Sequence, residues 1–232
     1  MKAILLNLIC FFCATSLYPN KTPEIIEKQI TLSEFTSLEI SAPIKVFLIV
    51  SDTPQLRLKG PKEVLEQLIT DVTLEKLSIR GKDGESFPNG IELAEVYISL
   101  PKVENISLNG NGTLEGRGQF SIKKLNLSLK GSGRMVLSVD GGEVFADLQG
   151  DGQILLIGIV DTATFQMKGA SKIEAASLLI QNGVVKIEGK GQADLNVMQN
   201  LSVEIEGEGR VRYGGDPTLN KKISGKGEVS RF

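Results

Sequence analysis

Four carboxylates stand close together in the chain, Asp140, Asp147, Asp151 and Asp161, and they are the residues whose type and spacing come nearest to a reaction centre. Two carboxyl groups about 5 to 9.5 Å apart can cleave a glycosidic bond, one as acid and the other as nucleophile or base. Several converging oxygens can instead hold Ca²⁺. Asp147 and Asp151 are the candidates for such a ligand or Ca²⁺ site. Both point outward by alternation, but a glycine corner separates them, and Asp140, just before Gly141-Gly142, reads as a turn residue. Turn formation and solvation account for all four, so no catalytic residue, metal or cofactor is assigned.

Other chemistries lack their parts. The chain has no histidine, the commonest acid or base near neutral pH and the commonest zinc ligand. Its two cysteines, Cys10 and Cys13, fall within a leader, which leaves no thiol or disulfide after it. Ser132 sits in a tight turn with no base to activate it. Gly-Lys-Gly at 189–191 and 225–227 precedes strands, whereas a phosphate loop opens a helix. Acidic and basic residues are interspersed, with a formal charge of −2, and provide no field for nucleic acid.

The elements that position these residues follow from a repeat. The order apolar, polar, apolar, polar, Gly, any residue, Gly or Ser, polar, apolar recurs seven times between Ile106 and Val229. Its small pairs are Gly110 and Gly112, Gly131 and Gly133, Gly150 and Gly152, Gly169 and Ser171, Gly189 and Gly191, Gly207 and Gly209, and Gly225 and Gly227. The first members lie 21, 19, 19, 20, 18 and 18 residues apart, an interval that fits the circumference of one coil of a solenoid. Alternation runs on through the small pair, as in Val185, Ile187, Gly189, Gly191, Ala193 and Leu195, which places the glycines in the inward phase of a bending ribbon. One coil cannot bury both of its apolar arms, so coils stack. Leu108, Leu129, Leu148, Met167, Ile187 and Ile205 are expected in one inner column. Leu114, Met135, Ile154, Ile173, Ala193 and Val211 are expected in the other. The fold class is therefore all-β, a right-handed parallel β-helix. The competing arrangement makes each repeat a hairpin with Gly-X-Gly at its tip; parallel pairing between successive repeats distinguishes the two.

In the outward column after each corner, Thr113, Arg134, Gln153, Lys172, Gln192, Arg210 and Glu228, neutral residues separate the basic ones, which avoids stacking like charges. Phe145 and Phe165 fall inward or at bends and give no repeated platform for sugars.

Lys2, an apolar run from Ala3 to Phe12 and the small residues Ala14-Thr15-Ser16 read as a signal peptide over 1–16. The exported chain is then expected in the periplasm, at the outer membrane or on the cell surface, with 25 basic against 28 acidic side chains once Lys2 is removed, a charge of −3. No later run is long enough for a membrane helix. A polar lead (17–33), expected to be loosely held or packed only at its end, precedes an N-terminal β-rich capping region (34–101) continuous with the repeats (102–232). That region alternates at Leu38 and Ile40, at Ile44 to Val50, at Leu56 and Leu58, and at Leu74, Leu77 and Ile79. Val64, Leu65, Leu68 and Ile69 after Gly60-Pro61 predict one helix of about two turns beginning at Pro61. The glycine-rich loop 81–90 is the expected mobile segment of this half. Asp216-Pro217, Lys221-Lys222, Arg231 and Phe232 are placed to blunt the far edge.

The opening from Phe35 to Ile49, the segment Leu65 to Ile79, Ile98-Ser99-Leu100-Pro101, the Gly-Ser-Gly-like corners and Val211-Arg212-Tyr213-Gly214-Gly215-Asp216-Pro217 together resemble the bacterial DUF2807 family, labelled an auto-transporter adhesin head GIN domain and frequent in Bacteroidetes. The resemblance covers about residues 35 to 229 and implies a β-helix. It supplies no catalytic or ligand residues. Only Gly131-Ser132-Gly133 has the Gly-Ser-Gly form literally, so the corners offer no uniform chemical surface. The expected function is that of a non-catalytic scaffold or adhesin-like protein meeting an envelope protein or a glycan; the alternative is a carbohydrate-active enzyme or carbohydrate-binding module on the same fold.

Overall fold

A computed structural model describes residues 24–82, 87 and 94–232. The leader with both cysteines, and all but Gly81, Lys82 and Phe87 of the glycine-rich loop, lie outside the described residues. From β8 (Asn105–Gly110) the chain winds through β9 (Thr113–Gly131), β10 (Arg134–Gly150), β11 (Gln153–Gly169), β12 (Lys172–Gly189) and β13 (Gln192–Gly207) to β14 (Arg210–Gly214), β15 (Thr218–Gly225) and β16 (Glu228–Arg231). Each repeat pairs in parallel with the next, which excludes hairpins: Gly131 aligns with Gly150, Gly150 with Gly169, and Gly169 with Gly189. The fold is a parallel β-helix with two faces. Arms that run into the Gly-X-Gly corner form a leading face, and arms that leave it form a trailing face.

Both inner columns stack in the expected order. Leu108, Leu129, Leu148, Met167, Ile187 and Ile205 are register partners in succession, and Leu114, Met135, Ile154, Ile173, Ala193 and Val211 likewise. All twelve are buried.

The corner glycines divide the work differently from the expected common inward phase. Only the second small residue points in: a Cβ on Gly152 would lie 2.6 Å from Leu129 Cδ2, and one on Gly209 2.6 Å from Ile187 Cγ2. The first glycine lies at or near the surface with φ of +97° to +122°, a backbone region that L side chains rarely adopt. At Gly150 a Cβ would also sit 2.7 Å from the carbonyl oxygen of Gly131 on the rung before. That carbonyl accepts from Asp151 N–H at 3.0 Å, so successive corners are bonded as closely as the strands. Ser171 occupies an inward position, fully buried, and its hydroxyl has no partner among the described residues.

The N-terminal part extends the same core, but not in chain order. β2 (Ser37–Ser41) and β3 (Lys45–Val50) form one rung, lying between the rung of β8 and β9 on one side and that of β6 (Lys76–Gly81) and β7 (Glu95–Leu100) on the other. β4 (Gln55–Pro61) and β5 (Leu68–Thr73) then run antiparallel to β7 and β6, and β1 (Ile25–Thr31) runs antiparallel to β4. Residues 25–31 are thus paired along their length, which fits a lead packed at its end; edge pairing leaves side chains such as Glu27 and Gln29 in solvent. The helix is shorter than its spacing suggested. α1 is the single turn Lys62–Leu65, with Pro61 as the residue before it, and Leu68 and Ile69 already belong to β5. Leu74 is an exposed turn residue with φ of +51°, not a member of the apolar face.

Candidate functional site

The carboxylates do not converge. Asp147 faces outward midway along the leading face and accepts a hydrogen bond from Gln149 Nε2 at 2.9 Å. Asp151 is the exposed middle residue of a corner. Asp140 and Asp161 are exposed at the opposite bend of adjacent rungs. Among the described residues no group of three or more His, Cys, Asp or Glu side chains is placed to hold a metal ion.

The trailing face carries the features that solvation and turn formation leave unexplained. At its front, side chains from four different strands make one stack. Arg57 on β4 lies 4.0 Å from the centroid of the Tyr97 ring on β7, Tyr97 stacks on Phe47 of β3 at 4.9 Å, and Arg117 of β9 covers Phe47 at 3.9 Å. Each contact is of a kind that contributes about 0.5 to 1.5 kcal/mol. A bulge in β9, whose register shifts opposite Val136 to Ser138, carries Arg117 between Gly116 and Gly118 and turns it back over the ring. The Tyr97 hydroxyl donates to Glu95 Oε2 at 2.9 Å, and this bond, with burial, pushes its pKa above the ordinary tyrosine value. Guanidinium groups cover the outer faces of both rings, so this stack is no open sugar platform.

Beyond the stack a groove of about 340 Å³ runs between Phe47 and Val136 over Thr113 and Glu115. It opens on an apolar cluster. Val136 aligns with Leu155, and Ile159 with Leu179 on the next rung, while Ile157 and Ile159 are 42% and 49% exposed. A basic column at Arg134 and Lys172 borders the cluster on the corner side, and Asp140 lies at the other margin. The predicted column from Thr113 to Glu228 is in register throughout. Arg134 donates to Gln153 at 3.0 Å, and Arg210 pairs with Glu228 at 3.3 Å.

The family model described as "Putative auto-transporter adhesin, head GIN domain" (DUF2807) matches residues 34–217 of this glycine-cornered β-helix. The chain belongs to this family. Among solved structures, DUF2807 chain and comparison align over nearly their full lengths. A "putative adhesin" from Bacteroides fragilis has 21% identity and a TM-score of 0.83 over 90% of this chain and 97% of its own. A "Putative lipid binding protein" from Parabacteroides distasonis has 20% identity and a TM-score of 0.73 over 92% and 98%. A "putative adhesin" from Parabacteroides merdae has 19% identity and a TM-score of 0.67 over 90% and 96%. At these identities the likeness establishes the fold. No curated protein matches.

Sequence reasoning missed the trailing-face surface of this DUF2807 chain. The one signal was the unbroken apolar run Ile154-Leu155-Leu156-Ile157, where a half-buried strand normally alternates. Phe165 is buried in the core, whereas Phe145 is half-exposed on the leading face.

Proposed function

We propose that this protein is an exported, non-catalytic β-helical scaffold of the cell envelope, adhesin-like in that it docks a protein partner on its trailing face. The observation that carries the reading is the apolar cluster Val136, Leu155, Ile157, Ile159 and Leu179 beside the Arg-capped aromatic stack. Water-exposed aliphatic groups on a rigid sheet, rimmed by Arg134, Lys172, Glu174 and Asp140, have the make-up of an interface with an apolar centre and a polar border. Stacked coils hold that surface flat without an ordering cost on binding. Export rests on the leader composition over 1–16, and the names of the relatives are in keeping with an envelope setting.

The test compares the protein with an Ile157→Lys/Ile159→Lys variant for binding to isolated envelope fractions of the producing cell before and after protease treatment of those fractions. Saturable, protease-sensitive binding that falls at least about tenfold in the variant, with an unchanged melting temperature, is expected. Equal binding by both proteins, or protease-resistant binding, overturns a protein partner on this face.

A further inference from the structure

The leading face carries a polar groove that the docking surface does not use. Where residues 101–105 lead into β8 beside residues 121–126 of β9, a hollow of about 460 Å³ is lined by Lys102, Lys123, Lys124, Ser121, Asn105 and Asn126. A second hollow of about 420 Å³ shares Asn105 and Asn126 and continues over Ser37, Ser107 and Ser128 to Phe145. The two adjoin at Asn105 and Asn126, and the channel along them has a cationic end, an amide and hydroxyl floor and, among the described residues, one aromatic wall.

We infer that this channel binds an acidic oligosaccharide, its anionic group at Lys123 and Lys124 and a sugar ring against Phe145. The charge favours an anion. Glu104 is the only acid lining the lysine end, and it lies 3.6 Å from Lys102, which leaves Lys123 and Lys124 without an ion pair among the described residues, although Glu143 is the register partner of Lys124. The acids farther along are engaged within the protein: Glu39 with Lys76 at 2.6 Å, and Asp147 with Gln149.

The floor suits hydroxyl groups. Asn126 Nδ2 donates to Asn105 Oδ1 at 2.9 Å, and Asn105 Nδ2 donates to Ser37 Oγ at 3.0 Å, which fixes both amides before any ligand arrives. No side-chain hydrogen bond among the described residues engages Asn126 Oδ1 or the hydroxyls of Ser107 and Ser128. The amide ladder stops because the register partner of Asn126 on the next rung is Phe145, whose ring can meet the C–H face of a sugar. Leu38, Ile106 and Leu127, although they border the hollow, are no more than 1% exposed, so an acyl chain finds no trough. A peptide cannot add as a strand, since β8 is paired on both sides. Farther along the same face, Lys186 meets Glu188 at 3.5 Å and Lys222 meets Glu204 at 2.8 Å, so ion pairs occupy the columns that serines leave open here.

Titration calorimetry on the chain without residues 1–16 tests this with four probes: an oligogalacturonate hexamer, a sulfated heparin hexasaccharide, neutral maltohexaose and inorganic phosphate. Saturable binding of at least one acidic hexamer, weakened by salt, is expected. It falls about tenfold or more in Lys123→Gln/Lys124→Gln and in Phe145→Ser, and is unchanged in Lys186→Gln on the same face. The inference is overturned if neither acidic hexamer binds, if maltohexaose binds as well, if phosphate alone competes at the same concentration, or if both groove variants bind normally. The Ile157→Lys/Ile159→Lys variant keeps glycan binding, so failure of either surface leaves the other standing.

Discussion

The two ends of the solenoid protect the same core by different means. At the front the chain reverses: β4 and β5 run antiparallel to the rung they cover, and α1 between them buries Val64 and Leu65. At the back nothing folds over the last rung among the described residues, and β15 and β16 each pair on one side only. Their inward phase carries two cations instead. Lys221 is the register partner of buried Val203, and Arg231 that of Tyr213. A further apolar rung laid on this end has to desolvate both charges, which makes the edge unfit for stacking without being covered. One end is closed by packing and the other by electrostatics.

The largest effect expected from that contrast is on stability. Leu56 in the reversed rung is completely buried, so Leu56→Ala leaves a cavity and costs about 2 to 5 kcal/mol. Ile223, in an inward position of the last rung, is 38% exposed, and Ile223→Ala costs less than about 1 kcal/mol because water already reaches the site. Urea denaturation of both variants measures the difference. Similar losses at the two positions defeat the contrast.

The second effect is on association. In Lys221→Val/Arg231→Val the inward phase of the last rung becomes apolar from Leu219 to Ile223 and from Val229 onward, on strands with free edges. The variant is expected to dimerise end to end with rising concentration in sedimentation velocity, while the unaltered protein keeps one sedimentation coefficient over the same range. A variant whose sedimentation stays independent of concentration shows that these cations do not guard the edge.

How far the sequence could be read differs between the same two regions. From Gly110 to Gly227 the corner recurs at nearly constant spacing, and one period-two pattern placed both inner columns correctly. In the front rungs that mark is missing: Ser41-Ala42-Pro43 stands at the corresponding bend of the first rung, and the β6–β7 rung comes later in the chain than the β2–β3 rung it supports. Order in space is set there by reversal at α1, which no periodicity records. The Arg57, Tyr97, Phe47 and Arg117 stack draws on four strands and was illegible for the same reason. Alternation placed both glycines of a pair inward, whereas only the second points in, because a positive φ at the first member breaks the phase that side chains otherwise keep. The polar groove was hidden for a further reason: serine and asparagine look like ordinary outward residues until register places three rungs of them side by side.

The smallest effect concerns acid. Glu204 accepts a hydrogen bond from Lys222 across the last two leading-face rungs, and that bond, then the charge behind it, lowers the carboxyl pKa below its ordinary value of 4.5. A carboxylate with a depressed folded pKa stabilises the fold above its unfolded pKa, and the contribution disappears as pH falls through the folded value. Lys222 is raised above 10.5 by the same partner, so its share is complete below that pH and is lost only as pH rises through the raised value. The pair therefore holds β15 onto β13 fully between about pH 5 and 10 and loosens in acid as pH falls through the lowered carboxyl value. Both groups are solvent-exposed, so the contribution is small and screened by salt. Hydrogen exchange, corrected for intrinsic rates, should show β15 amides losing protection at about pH 3 relative to pH 6, and in 1 M salt at pH 6, while β4, held between two ladders, does not change. Equal loss in β4 and β15 would mean that acid acts on the whole fold and not on the end that charge guards.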